Sequence, residues 1–405
     1  MTYADTLAYL FARLPMYQRI GATAYKADLS NTHALMEILG HPEHGLKCVH
    51  VAGTNGKGST SSLIASALQE AGYRVGLHTS PHLKDFRERF RINGALVSEE
   101  AIVRFVYEHR EAFDPIEPSF FEWGVAFALW WFREQQVDIA VLETGMGGRL
   151  DSTNVVTPEV SVITNIGWDH MQFLGDTLER IAAEKAGIIK PGVPVVVGEA
   201  EGEVADVFMR KAHEQGAPIT FVEQRSRPRS DSALQGEHQV RNARTAQAAL
   251  DVLCERGWRI PEAALRKGFE HVIANTGLRG RWDVIGHAPL TIADVAHNVD
   301  GMRVVNAMLA RTPHRKLRIV LGMVNDKDID GVLSLLPKNA TYHFCKADIP
   351  RGMNAEALRV MGEAHGLIGT AHASVAEAVL AARADADDQD LLLVTGSVFV
   401  VAEVL

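Results

Sequence analysis

The stretch Val49–Thr60 constrains this chain more than any other, because a strand, a glycine-rich turn and a helix start follow one another without a break. Val49-His50-Val51-Ala52 reads as the strand, Gly53-Thr54-Asn55-Gly56-Lys57-Gly58 as the turn, and a helix begins near Gly58. Three glycines let successive backbone N–H groups converge on an anion, the helix start adds its positive dipole end, and Lys57 reaches the outer phosphates of a nucleotide. The segment departs from the usual P-loop, since Val51 stands where a glycine is expected and Gly58 where Ser or Thr would follow the lysine. Downstream, Leu63, Ile64, Ala67, Leu68 and Ala71 fall on one helical face and Gly72 stands at a C-terminal cap.

A chain of 405 residues exceeds one ordinary core and predicts two or three domains. With 47% hydrophobic and 22% charged residues it reads as globular rather than disordered. A net charge of -9 and a pI near 6.0 argue against a nucleic-acid partner, which needs a basic surface, but leave room for small anions. Cys48, Cys254 and Cys345 lie far apart without CxxC spacing, so neither a disulfide framework nor a zinc site is expected, and a reducing cytoplasm is the natural compartment. Met1–Arg19 lacks the long apolar run of a leader, and the apolar run Trp123–Phe132 is far short of the ~20 residues that cross a bilayer.

Polar residues recur at the ends of apolar runs, where a parallel sheet deposits its ligand-binding side chains. Ser80 follows the strand Arg74–Thr79 and reads either as a turn former before Pro81 or as a ligand-edge hydroxyl. Glu143 ends the nearly continuous apolar strand from Asp138, placed like the magnesium-holding carboxylate of a nucleotide enzyme, and glycines follow it. Asp169-His170 follows the strand Val160–Ile166, and His170 reads either as a surface histidine or as a metal ligand. By composition alone Lys185 is a solvated lysine near a helix end that Pro191 closes. Asn242, before an alanine-rich helix, is by type an N-cap. The turn-rich joint Asn275–Trp282 marks a domain boundary, after which strands and helices alternate anew, with Asp294-Val295-Ala296-His297-Asn298 and Gly396-Ser397 at strand ends.

Several of these segments together resemble the Mur ligase superfamily of ATP-dependent amide-forming enzymes, in particular folylpolyglutamate synthase and dihydrofolate synthase. They are GTNGKGST, TSPHL with RERFRING, Phe121-Glu122-Trp123, ETGMGGRLDSTN from Glu143, Asp169-His170, EKAGI around Lys185, Gly236-Glu237-His238-Gln239 with Asn242-Ala243, DVAHN, GMVNDKD and TGSVFVVAEV. The resemblance implies ATP contacts from Thr54, Asn55, Gly56, Lys57, Gly58, Ser59, Asn242, Arg281 and Asp294. It implies magnesium ligands at Ser80, Glu143 and His170, two ions in all, and catalytic roles for Lys57, Lys185 and His297, with Lys185 carboxylated by CO2. For the substrates it implies Lys26, Asp28, Phe121, Glu122, Leu150, Asp151, Ser152 and Ser397. Arg281 matches the arginine of the family's PGR motif, but Leu278 and Arg279 occupy the neighbourhood of its proline.

The fold expected is α/β: a P-loop ATPase-type domain with a mainly parallel sheet over residues 1–276, and a smaller Rossmann-like α/β domain over residues 277–405. The activity expected is ligation of L-glutamate to dihydropteroate and to the γ-carboxyl of reduced folates through an acyl phosphate, by a cytoplasmic monomer. The nearest alternative is a Mur-type ligase acting on a UDP-linked cell-wall precursor, and a P-loop regulatory ATPase is the reading from another class.

Overall fold

The computed structural model describes residues 1–16, 28–222, 228–384 and 386–405. The chain forms two compact units, Met1–Ala233 with Glu237–Leu278, and Arg279–Leu405 with Leu234–Gly236. Among the described residues no helix is long and apolar enough to cross a membrane. Each unit is built on its own sheet.

The strands of the first unit are β1 (Cys48–Ala52), β2 (Val75–His78), β3 (Phe90–Ile92), β4 (Ala95–Leu96), β5 (Ile139–Glu143), β6 (Val160–Ile163), β7 (Val195–Val197) and β8 (Ile219–Phe221). Their spatial order is β4-β3-β2-β5-β1-β6-β7-β8, parallel from β2 to β8, with β3 and β4 added antiparallel at one edge. Every residue of β1 and β5 is buried, which explains why these strands are apolar apart from His50 and the terminal Glu143: both faces of these central strands are covered. Val51 pairs with Glu143 on one side and with Val162 on the other, so three strand ends lie level and open into one row of loops. His50, inside β1, is accommodated because its Nε2 meets the Thr153 hydroxyl at 2.7 Å and burial pulls its pKa down to about 3, keeping the ring neutral.

The helix Lys57–Glu70 differs from the amphipathic expectation: residues 58–68 are all buried, serines included. The helix Glu262–Glu270 covers the face that would otherwise meet solvent, and its Gly268 lets the two backbones touch. A Cβ there would lie 2.4 Å from the Ala67 Cα, and the Ser66 hydroxyl donates to the Gly268 carbonyl at 2.6 Å. Gly72, with φ 91, ends the helix as expected, and Tyr73 N donates back to Leu68 O. The helix Phe120–Glu134 starts at a capping box of Ser119 and Glu122 and buries Trp123 against Phe105 and Phe127 against Phe90, with Phe132 in the same core. Each such ring contributes about 2–3 kcal/mol through burial.

The second unit holds β9 (Asp283–His287), β10 (Leu290–Ala293), β11 (Leu317–Leu321), β12 (Ala340–Phe344), β13 (Gly369–Ala371) and β14 (Leu391–Thr395). Their order is β13-β12-β11-β14-β10-β9, parallel except for the edge strand β9. Ile319, Leu321, Tyr342, Phe344 and Leu393 lie in its core beneath Met302 and Leu358 of the flanking helices.

Candidate active site

The loop leaving β1 has a shape that side chains would destroy. Gly53 has φ 152 and a Cβ there would fall 1.8 Å from the Thr164 hydroxyl, and at Gly56, φ 82, it would fall 2.2 Å from the Asn242 Oδ1. The loop is tied to the segment after β6: Asn55 N donates to Asn165 Oδ1 (2.9 Å), Thr54 N to Asn165 O (2.9 Å), and the Thr164 hydroxyl to Asn55 O (2.6 Å). Lys57 Nζ is folded onto the carbonyls of Gly53 (3.0 Å) and Thr54 (3.1 Å). In the first helical turns Ser59 and Thr60 are buried with hydroxyls that have no partner among the described residues. Asn242 is not an N-cap: its helix begins at Glu237, so the side chain emerges from the second turn, where Nδ2 donates to Gln239 Oε1 (2.9 Å).

Glu143 is buried at the tip of β5, between β2 and β1, and its Oε2 accepts from Ser80 N at 3.1 Å. The next residue, Thr144, carries another buried hydroxyl without a partner among the described residues. The charged stretch after Ser80 conceals Arg89, whose Nε donates to His82 Nδ1 (2.8 Å). Burial pulls Arg89 down to about 10, against the attraction of Glu143 and Glu88. His170 starts the short helix Met171–Leu174 with φ 50, its Nε2 3.7 Å from Asp169 Oδ2.

Lys185 is not the solvated lysine that composition implies. It lies 3% exposed on the inner face of the helix Leu178–Ala186, and its Nζ donates to Gly53 O at 2.9 Å. Burial, then the charge of Lys57, pulls it down to about 7, opposed by Asp169 and Asp151. Two lysines thus meet on one carbonyl of the glycine loop.

The glycines after Glu143 pack on that helix: a Cβ at Gly148 would approach Lys185 O to 2.9 Å, and Arg149 N donates to Glu184 O. Asp151 organises this loop, accepting from Gly145 N (2.8 Å), Met146 N (2.9 Å) and Thr153 N (3.0 Å), while burial raises its pKa. Ser152 is buried beside it and Leu150 half-buried. The Phe121 ring covers Gly145, where a Cβ would come within 2.6 Å of it. Glu122 accepts from Ser119 N (2.6 Å) and Asn31 Nδ2 (3.3 Å), so it holds its helix start in place. Asp28 accepts from Ser30 N (2.9 Å), and Lys26 lies outside the described residues.

In the second unit Asp294 directly follows β10, with Oδ2 accepting from Trp282 N (2.8 Å) and Oδ1 from Ala296 N (2.9 Å). Burial raises its pKa against those bonds and the charges of Arg281 and His297. His297 Nδ1 donates to Val295 O at 3.0 Å, which orients the ring. Ser397, buried after β14, caps the helix Val398–Ala402 through Val400 N (3.2 Å).

Residues 51–248 match the Mur ligase middle domain, and residues 280–398 the Mur ligase, glutamate ligase domain. The dihydrofolate synthase/folylpolyglutamate synthase of Bacillus subtilis is 36% identical over 88% of each chain. The chain therefore belongs to the folylpolyglutamate synthase and dihydrofolate synthase family of Mur ligases. It spans half the length of another relative, the probable bifunctional folylpolyglutamate synthase/dihydropteroate synthase of Haloferax volcanii, at 35% identity. Among solved structures of the family, Escherichia coli FolC in complex with DHPP and ADP superposes with a TM-score of 0.89 at 33% identity, covering 100% of this chain and 97% of that one. A bifunctional folylpolyglutamate synthase/dihydrofolate synthase with Mn, AMPPNP and L-glutamate bound reaches 0.84 at 33% identity, again over 100% and 97%.

As a member of this family the chain is an ATP-dependent ligase that uses a divalent metal and small-molecule substrates. Its residues suit both groups. The glycine cradle and the unpartnered Ser59 and Thr60 hydroxyls fit a polyphosphate, and a carboxylate with nearby hydroxyls is the oxygen-rich set that a hard cation takes. The residues that sequence reasoning passed over are Asn165, which pins the loop backbone, Arg89, which faces Glu143, and Asp169, which faces Lys185. For Asp169 the adjacent His170 was a signal. Burial of an arginine within a charged run leaves none.

Proposed function

We propose that this chain joins L-glutamate to dihydropteroate, and then to the γ-carboxyl of reduced folates, through an acyl phosphate made from ATP. The convergence of Lys57 and Lys185 on the Gly53 carbonyl, inside a glycine cradle next to a strand-end carboxylate, is the observation that carries this reading. The family likeness to proteins bound to DHPP, ADP and L-glutamate supports the choice of substrates over a UDP-linked precursor.

In this reading residues 1–276 bind ATP and residues 277–405 serve the glutamate step. The backbone from Thr54 to Gly58 and the Ser59 hydroxyl receive the phosphates, Asn242 steadies Gly56, and Lys57 leaves its two carbonyls to offset charge on the phosphoryl in transfer. Magnesium, two ions here, would be held by Ser80, Glu143 and His170 and would neutralise charge on the transferring group. Phe121 stacks on the flat pterin, with Asp28 and Ser152 beside it and with Glu122, Leu150 and Asp151 shaping the wall. Arg281 and Asp294 are assigned to the nucleotide, His297 and Ser397 to the glutamate. The glutamate amine attacks the acyl carbon, phosphate leaves and the amide forms.

Lys185 is the residue whose chemistry changes. A buried amine pulled down to about 7 holds a substantial neutral fraction near neutral pH, and the neutral amine is the form that adds CO2. The N–C bond forms, one proton leaves to solvent and the neutral amine becomes a carbamate anion able to orient a metal or its water. The chain is taken to work as a monomer in the cytoplasm, which its free cysteines suit. Purified protein given ATP, glutamate and either dihydropteroate or tetrahydrofolate should yield products heavier by one glutamyl residue. ATP hydrolysis with no amide product from either acceptor contradicts the assignment.

A further inference from the structure

The turn Gly40–Gly45, between the helix Ser30–Ile38 and β1, gathers His41, Glu43 and His44 at the amino end of the strand whose other end forms the nucleotide loop. Glu43 is the anomaly. Its side chain is 7% exposed; Oε1 lies 2.9 Å from His41 Nδ1 and 3.5 Å from His44 Nε2, while Oε2 is buried with no hydrogen-bond partner among the described residues. A buried carboxylate oxygen left without a partner is costly, on the order of a few kcal/mol, unless something else occupies its lone pairs. The two imidazoles stack at 4.6 Å with 9° between their planes, so both present ring nitrogens to the same carboxylate.

The turn is rigid before any ligand arrives. Gly40 (φ 68), His41 (φ 55) and Gly45 (φ 77) are left-handed, and His41 N closes the preceding helix onto Met36 O at 2.8 Å. Arg133 NH1 donates to the carbonyls of His41 (2.7 Å) and His44 (3.4 Å), clamping both ends and placing its charge on the backbone side.

We propose that His41 Nδ1, His44 Nε2 and one Glu43 oxygen form a binding site for a single zinc-class transition-metal ion, with water in the fourth position. One donor atom from each of the three residues lies within 4.8 Å of the other two. Tetrahedral bonds of about 2.0–2.1 Å place ligand atoms about 3.3 Å apart, and the 2.9 and 3.5 Å spacings bracket that value. Two imidazoles and one carboxylate favour Zn2+, Co2+, Ni2+ or Cu2+ over Mg2+, so this site and the oxygen-rich one near Glu143 discriminate between ions by donor chemistry. Binding uses the Nδ1 lone pair of His41 and the Nε2 lone pair of His44, so His41 carries its proton on Nε2 and His44 on Nδ1, and any excess proton is released.

Equilibrium dialysis of the full chain against Zn2+ in excess Mg2+, with bound zinc counted by atomic absorption, tests the site. One equivalent is expected for the parent. Affinity should fall at least tenfold in His44→Ala and Glu43→Gln and stay unchanged in His372→Ala, which alters the separate pair His343–His372. Co2+ in place of Zn2+ should give the visible absorption of a tetrahedral site in the parent and lose it in His44→Ala. The His44 imidazole is 72% exposed, so that variant keeps its fold and decides the matter even if Glu43→Gln unfolds. No bound zinc in the parent, or equal zinc in the parent and His44→Ala, overturns the proposal.

Discussion

At the scale of single residues the active-site reading turns on charges that packing does not require. Among the described residues Lys57 bonds only loop carbonyls, so Lys57→Ala should lower turnover by on the order of 10³-fold or more at unchanged melting temperature. Near-parental turnover would remove it from phosphoryl transfer. Glu143→Ala and His170→Ala should shift the magnesium dependence to higher concentration, Glu143 by more because its carboxylate is buried at the strand tip. Superimposable magnesium curves for parent and both variants would show that neither residue holds the ion. Lys185→Ala separates three outcomes: a carbamate role predicts near-inactivity with partial rescue by a short carboxylic acid, a solvated lysine predicts less than about 0.5 kcal/mol on any measure, and a purely packing role predicts lost stability instead. Full activity of that variant would exclude the carbamate.

At the scale of elements, the nucleotide helix is held by close backbone contact rather than by large side chains. Gly268→Val drives a branched side chain into the Ala67 backbone, so the helices Lys57–Glu70 and Glu262–Glu270 must separate. A loss of about 2–3 kcal/mol and a melting temperature lower by several degrees are expected, with weaker ATP binding because the same helix carries the phosphate loop. Calorimetry and nucleotide titration measure both, and an unaltered melting temperature would mean that the contact is less tight than its geometry. The level ends of β1, β5 and β6 do comparable work: a strand register set by both-face burial places Glu143 beside the loop with no help from the loop itself.

For the whole molecule, acid should be destabilising through buried imidazoles as well as through carboxylates. His50 and His78 are almost fully buried, and burial pulls each down to about 3 from an ordinary value near 6.5. Between those values the unfolded chain binds more protons than the folded one, so stability is intact above about pH 6.5 and is lost as pH falls toward 3, on the order of 10 kcal/mol in sum for the two rings. Proton NMR of the folded protein should show both rings neutral down to about pH 4, and titration near 6.5 would contradict their burial. Read alone, the sequence determined the α/β class, the phosphate loop and the strand-end carboxylate, because spacing and residue type suffice wherever chemistry is local: Gly53, Gly56, Lys57 and Glu143 announce themselves within a few residues of a strand. What only the tertiary structure decided depends on partners distant in sequence. Lys185 is a solvated lysine by composition and a buried amine on Gly53 O in the fold, 132 residues away. Arg89 disappears into a charged run, Asn242 becomes a brace for Gly56 rather than a cap, and the His41, Glu43 and His44 cluster acquires meaning when burial leaves one carboxylate oxygen unpartnered. Periodicity reports which face of an element is apolar; it does not report which other element covers that face, and desolvation, which sets these charges, follows from the covering.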